Sequence, residues 1–451
     1  MTEQARRADP ITLWHALARE AAGNGLCGDL ATRMRERRLT FGGRLLCPFL
    51  RPFFLDPADE RRVTHAAETL WRLGERLANI AASDASILER LGLNDAEIRL
   101  AQIDPGYEVA STAARADAFL LPDSLQFAEY NAESPAGPGY SQRLAELFSE
   151  LLDQASPFAP FADRFHVRFY TPIPQLLGAL LDSYRDWGGR APAPRVAIVD
   201  WREVPTWSEF ELLRDAFTAA GVPTTVCDPR DLVFDGRALT VDGERIDLVY
   251  RRVLINDILA RPDECRALID AYRARAVCVA NALRCKIAHK KAFFAVLTDD
   301  RYATHFNDDE RAVIAAHVPW TRIVREDLAD DLRRRRESLV LKPNDEYGGS
   351  GVTLGWETTE SAWDDAIAKA LRDCEDSNRL WVVQERIQIR REEFPICESA
   401  GVVERNMLVD FAPYLFRGRV AGFLTRLSAT GLANVTSGGG QVPAFVVEER
   451  V

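Results

Sequence analysis

The sequence predicts a mixed α/β protein built from several packed units, and three observations predict it. Apolar residues repeat with helical period through the first hundred residues, a hairpin of alternating strands follows at 114–131, and buried-type strands alternate with helices from Pro194 onward. At 451 residues the chain exceeds one small core, and about one domain per ~150 residues gives roughly two to four units.

Residues 10–104 read as helical. Ile11, Trp14, Leu17 and Ala18 share a face, and Val63, Ala66, Ala67, Leu70, Leu73 and Leu77 repeat after an Asp56-Pro57 start. These are core stripes and carry no visible chemistry.

The hairpin is more informative. Residues 114–121 alternate, Pro122-Asp123-Ser124 turns the chain, and Leu125–Asn131 alternates again. Period two puts Arg115, Asp117 and Phe119 on one face of the first strand, and Glu129 and Asn131 on one face of the second. If those faces coincide, two carboxylates and an amide oxygen converge beside a guanidinium, a donor set that suits Mg²⁺ shared with phosphates. A solvent-exposed polar hairpin face is the alternative. The turn-rich loop 132–140, which contains Ser134, then leads into a helix from Ser141, where a substrate can approach backbone closely.

From Pro194 the texture is α/β. Strands at 195–200, 223–227 and 246–251 flank a helix at 208–220 that Gly221 stops, so a short parallel sheet with crossover helices is the economical reading. No G-x-G-x-x-G follows these strands, which argues against a dinucleotide site. Arg251 and Arg252, at a strand end, either bind a carboxylate or face solvent.

Lys290 and Lys291 open or sit within a helix, and helical, acidic sequence runs on to about Arg336. The stretch 338–352 then organises the rest. A short apolar run delivers Lys342, Pro343 ends it, acidic residues including Glu346 follow, and Gly348, Gly349, Ser350 and Gly351 precede a second apolar run at Val352. Such a loop has little side chain to pack, and its exposed N–H groups can fold over a nucleotide phosphate. A plain glycine-rich hairpin is the alternative. A helix at 360–371, a strand at 380–387 and antiparallel strands at 402–416, 420–427 and 443–447 complete the pattern.

Composition narrows the function. A net charge of −11 argues against nucleic-acid binding, and Arg333–Arg336 reads as a solvated helix end. No apolar run reaches the ~18 residues of a membrane span and no signal-peptide pattern is present, so a cytoplasmic protein without a membrane partner is expected. The eight cysteines form no C-x-x-C pair and are expected to be reduced, mostly buried thiols; Cys285 with His289 is too small a set for zinc. Only five of 57 basic residues are lysines: Lys286, Lys290, Lys291, Lys342 and Lys369. In an arginine-preferring chain, lysine suggests a compact point charge, as at a nucleotide phosphate, although chance retention explains a few lysines equally well.

Four segments together resemble one family. Arg115-Ala116-Asp117 with Glu129-Tyr130-Asn131 and Ser134-Pro135, then His289-Lys290-Lys291-Ala292, then Leu341-Lys342-Pro343 through Gly351, and then Val383-Gln384-Glu385-Arg386-Ile387 resemble an ATP-grasp ligase. The resemblance is to the circularly permuted branch that includes glutathionylspermidine synthetase-like proteins and eukaryotic-type glutathione synthetases. In an unpermuted enzyme the carboxylate-x-Asn motif lies near the end of the domain. Here Leu432-Ala433-Asn434 lacks the carboxylate and Glu129-Tyr130-Asn131 has it.

The resemblance implies an α/β (α+β) circularly permuted ATP-grasp fold with a small parallel α/β domain and an N-terminal helical region. Its parts would be a helical region at 1–105, a metal-binding hairpin part at 106–160, a substrate-side domain at 161–285 and an ATP-binding part at 286–451. It implies that Asp117, Glu129 and Asn131 hold Mg²⁺, that Arg115 stabilises charge on the transferring phosphoryl group, and that Lys290, Lys291 and Lys342 reach ATP phosphates. Gly348, Gly349, Ser350 and Gly351 would form a lid, with Glu346 either a lid contact or a metal ligand. Gln384, Glu385 and Ile387 would form the adenine hinge, while Ser134, Arg251, Arg426 and Asn434 would meet substrate or nucleotide. The implied activity joins a small-molecule or peptide carboxylate to an amine through an acyl phosphate, using ATP and Mg²⁺. A retired nucleotide-binding regulator and a phosphotransferase on the same fold are the other readings, and oligomeric state is not legible.

Overall fold

The protein is described by a computed structural model covering residues 3–81, 84–122, 124–346, 348–377, 379–398, 401–429 and 439–450. Helices Glu3–Gly23, Leu26–Glu36 and Pro57–Ala81 lead the chain, and the third buries the stripe from Val63 to Leu77 that its period marks. The first hundred residues are not helical throughout. Thr40–Phe41 pairs with Arg44–Leu45, and Phe53–Leu55 joins a three-stranded sheet with Ala444–Glu449 and Phe165–Arg168. Pro52 bars a helix from entering here, and Phe53-Phe54-Leu55 suits a strand that finds its partner almost 400 residues later.

The largest sheet has six strands. The hairpin Ala113–Leu120 and Leu125–Asn131 lies beside the long strand Gly401–Phe416, followed by Arg419–Ser428 and Gly440–Val442. Arg115 is opposite Tyr414 across that junction. An early hairpin therefore completes a sheet made mostly from late sequence. Arg391–Glu398 pairs with the outer half of the long strand. Its other edge is bridged by Phe49 at Ile396, where Leu50 N donates to Pro395 O and Cys397 N donates to Pro48 O.

A second antiparallel sheet of four strands is ordered Thr321–Ile323, Trp381–Glu385, Leu339–Pro343 and Thr353–Leu354. Helix Glu360–Ser377 covers one face, packing Trp363, Ile367 and Ala370 against Leu339, Leu341 and Val383. Thr321–Ile323 interrupts the stretch expected to be helical as far as Arg336, because pairing with 382–384 outweighs a three-residue local preference.

The third sheet is parallel throughout, in the order Cys278–Ala280, Leu248–Arg251, Val196–Val199, Thr224–Cys227, as the α/β texture predicts. Buried Asn281 fastens it to the hairpin. Its side-chain oxygen accepts from Ala113 N, and its Nδ2 donates to the carbonyls of Ala113, Ala132 and Glu133.

The cysteines need one correction. Cys27 and Cys397 form a disulfide, bringing the second helix against the 391–398 strand, whereas Cys47, Cys227, Cys265, Cys278 and Cys285 are buried free thiols. Among the described residues no helix is long and apolar enough to cross a membrane.

Candidate active site

The two antiparallel sheets face each other across a cavity of about 360 Å³. Its polar end is floored by the hairpin. Arg115 is opposite Asn131 and Asp117 opposite Glu129 in the register, and all four side chains line the cavity. The coincidence of faces posed by the alternation is therefore present. A bulge after Asp117 shifts the remaining pairing, so Ala118 is opposite Phe127 and Ala128 faces the cavity.

Asp117 is the centre of a charge chain. Arg115 donates from Nε to Oδ1 at 2.7 Å and from Nη2 to Oδ2 at 3.2 Å, while Arg426 donates to Oδ2 at 2.6 Å and also pairs with Asp410. Burial opposes ionisation of Asp117, but the two guanidiniums overcome it and hold the carboxyl well below the usual range. Asp410 responds in the opposite direction. Burial, reinforced by the Asp117 charge, outweighs Arg426 and raises it to about 7. Its Oδ1 has no hydrogen-bond partner.

Two lysines face these carboxylates. Lys291 lies 3.2 Å from Glu129 Oε1 and donates to the Glu346 carbonyl. Lys342 donates to Gln384 Oε1 at 2.7 Å and to Ala128 O at 3.1 Å. Burial lowers the Lys342 pKa to about 8, because Glu129 only partly offsets the lost hydration and Lys291 adds repulsion.

The other end of the cavity is apolar. Val340, Val352, Leu354, Trp356, Ile387 and Ile389 line it, next to Gln384 and Glu385. The Glu385 and Arg386 amides are already engaged, donating to Trp320 O and Ser338 O. Ile387 N–H is the first along this run with no backbone acceptor among the described residues.

The loop over the mouth uses Gly348, Gly349 and Gly351 at φ +65°, +77° and +71°. Such angles cost other L-residues roughly 1–2 kcal/mol each. Gly348, Gly349 and Ser350 line the cavity, as does Glu346.

The remaining expectations divide. Ser134 and Arg426 line the cavity, Ser134 with its hydroxyl on Arg252 O at 2.7 Å. Gly351 lies behind the loop, on a second cavity of about 480 Å³. Asn434 falls outside the described residues. Two assignments are corrected. Arg251 is wholly buried, donating to Val253 O and pairing with Glu133, so it cannot present a guanidinium to substrate. Lys290 turns away from the cavity into ion pairs with Glu97 and Asp345, both at 2.7 Å. Adjacent residues at a helix start point in different directions, and only Lys291 faces inward.

Asp410 and His289 line the cavity without having been singled out as site residues. A lone aspartate in the apolar run 407–416 was a readable signal for Asp410, since an isolated buried carboxylate requires a partner. His289 Nδ1 is buried without a partner, and burial lowers the ring pKa, so the imidazole is neutral near pH 7.

The donor set can be tested against Mg²⁺ and a nucleotide. A carboxylate has about four acceptor positions, and Asp117 uses three, leaving one. Glu129 has a single ion-pair partner, and the Asn131 side chain makes no hydrogen bond among the described residues. Among those residues no group of three or more His, Cys, Asp or Glu side chains is arranged for a metal. Two carboxylates and an amide oxygen fit an ion that completes its shell with phosphates and water. The cavity volume and its apolar and cationic ends fit a nucleotide.

A family model for circularly permuted ATP-grasp type 2 matches residues 102–433. The chain belongs to that family. A Frankia casuarinae protein named "Putative glutamate–cysteine ligase 2-2" is 25% identical over 342 residues, covering 70% of this chain and 36% of its own length. An uncharacterized protein of Mycobacterium tuberculosis is 26% identical over 229 residues, covering 47% of this chain and 39% of its own. The chain thus spans well under half the length of these relatives. Among solved structures, the glutathione synthetase-like effector GSS30 of Globodera pallida superposes with a TM-score of 0.62 at 12% identity, covering 93% of this chain and 95% of that one. It shares the fold.

Proposed function

We propose that this circularly permuted ATP-grasp chain is an ATP- and Mg²⁺-dependent carboxylate–amine ligase. The observation that carries the reading is the single cavity in which Asp117, Glu129 and Asn131 face Lys291 and Lys342 at one end while an apolar hinge closes the other. Membership of the family supports it.

Asp117, Glu129 and Asn131 would hold the metal, which when bound neutralises phosphate charge and polarises the phosphoryl group. Lys342 and Lys291 would hold phosphate oxygens, and Arg115 would meet the charge that grows as the γ-phosphoryl group moves. The substrate carboxylate attacks phosphorus, ADP leaves, and an amine then displaces phosphate from the acyl phosphate to form the amide. No protein nucleophile is needed, because positioning and charge stabilisation supply the rate. The loop 348–351 would exclude water while the acyl phosphate exists.

Phosphate release measured over pairs of carboxylates and amines tests this directly. Turnover that requires both members of one pair supports the ligase. Turnover that needs no amine would replace it with a phosphotransferase or ATPase.

A further inference from the structure

At the root of the glycine loop is a cluster of six charges, five of them buried, that the ligase reading leaves unused. Arg251, Lys286 and Lys290 provide three positive charges, and Glu97, Glu133 and Asp345 provide three negative ones. Lys286 Nζ is 2.7 Å from Asp345 Oδ1 and 3.4 Å from Glu133 Oε2, and Lys290 Nζ is 2.7 Å from both Glu97 and Asp345. Five members have side chains no more than 4% exposed, whereas Asp345 is 23% exposed and belongs to the loop.

The same short segment is held by its other atoms. Asn256 donates to Asp345 Oδ2 at 3.1 Å. The Asn344 side chain accepts from Ala292 N and donates to Leu91 O, both at 2.8 Å, and its carbonyl accepts from Lys291 N. One residue further on, the Glu346 carbonyl receives the Lys291 ammonium. The clamp therefore extends to a cation that lines the cavity.

We propose that Asp345 is a positioning residue: its carboxylate latches the root of the glycine loop onto Lys286 and Lys290, and so sets Lys291 and Glu346 in the nucleotide cavity. When the root is seated the cluster is neutral. When it lifts away, one positive charge is left buried without its counter-charge, an expensive state in a medium of low polarity. Charge balance therefore favours the seated root of the loop.

The proposal rests on the nucleotide reading only for its kinetic consequence. The test is backbone hydrogen exchange over 343–352 in the full chain, with and without Mg·ATP. In ligand-free protein, Asp345→Ala is expected to speed exchange in this segment about tenfold or more, as local opening becomes easier. Asp345→Glu should restore part of the protection. The double variant Asp345→Ala with Lys286→Met returns the cluster to two charges against two. It should recover the melting temperature but keep the fast loop exchange, which also keeps the test valid if the single variant folds poorly. Unchanged exchange in Asp345→Ala, or recovered loop protection in the double variant, would overturn the latch. If Mg·ATP fails to protect the loop in the unaltered protein, the nucleotide reading fails while the ligand-free comparison still decides the latch.

Discussion

Lys342 and Gln384 meet across neighbouring strands of the four-stranded sheet through a 2.7 Å hydrogen bond from Nζ to Oε1. The bond joins the polar end of the cavity to its apolar end. It also holds a half-buried lysine in reserve, because a neutral amide oxygen satisfies a donor without balancing its charge.

The first prediction follows from that imbalance. Lys342→Met should weaken Mg·ATP binding roughly 10- to 100-fold, the value of a hydrogen bond to a charged group, while Lys369→Ala leaves it unchanged. Lys369 is exposed and pairs with Asp373 one helical turn away. The Lys342 pKa is depressed, so the folded protein binds this proton less well than the unfolded chain. Its burial costs stability at neutral pH, and the cost is relieved as pH rises from about 8 towards 10.5. Lys342→Met should therefore melt higher at pH 7 without ligand. Nucleotide affinity of the unaltered protein should fall as pH passes about 8 and the ammonium loses its proton. Calorimetric titration across pH checks both statements.

The two carboxylates of the hairpin should separate stability from metal dependence. Asp117→Ala leaves Arg115 without its carboxylate in a buried site, while Arg426 keeps Asp410, and should cost about 3–5 kcal/mol in denaturant unfolding. Glu129→Gln, which removes one partner of Lys291, should cost under about 1 kcal/mol. It should still abolish most of the Mg²⁺-dependent part of the thermal shift with ATP. A full shift in Glu129→Gln would remove that residue from the metal site.

The loop glycines differ in a measurable way. Gly348 and Gly351 both have positive φ, but a Cβ at Gly348 meets nothing, whereas at Gly351 it would approach Pro343 Cγ to 2.7 Å. Gly348→Ala should cost about the 1–2 kcal/mol of the backbone alone. Gly351→Ala should cost more and weaken Mg·ATP binding. Paired melting curves and titrations decide between them.

Reduction of Cys27–Cys397 should lower the melting temperature. The bond closes a loop of 370 residues, and disulfides of this kind typically contribute 2–4 kcal/mol, so about that much stability should disappear in reductant. A Cys397→Ser variant should match the reduced protein and no longer respond to reductant.

What could be read from the sequence was local. The hairpin and its two faces came from strict alternation, which depends only on neighbouring residues, and the parallel sheet came from its strand–helix rhythm. The glycine loop was visible because few other residues take positive φ. What was hidden depended on distant partners. Arg251 reads as a free strand-end guanidinium until Glu133, 118 positions earlier, proves to be buried beside it. Lys290 and Lys291 are indistinguishable in a sequence, and only the turn of the backbone aims one at the cavity and the other at Asp345. Strand Phe53–Leu55 and the disulfide likewise rest on partners more than 300 residues away.

The junction between the hairpin and strand Gly401–Phe416 also fixes an order of events during synthesis. Asp117 and Glu129 leave the ribosome early, yet the strand that covers their edge and the Arg426 that clamps Asp117 are made only after the glycine loop and the 381–385 strand. At about 5–20 residues per second the hairpin must wait roughly a quarter of a minute to a minute for its neighbour. For that interval its outer edge is an open template for other chains. Chaperone demand, and the loss from premature release, should therefore concentrate in the window before residue 416 emerges.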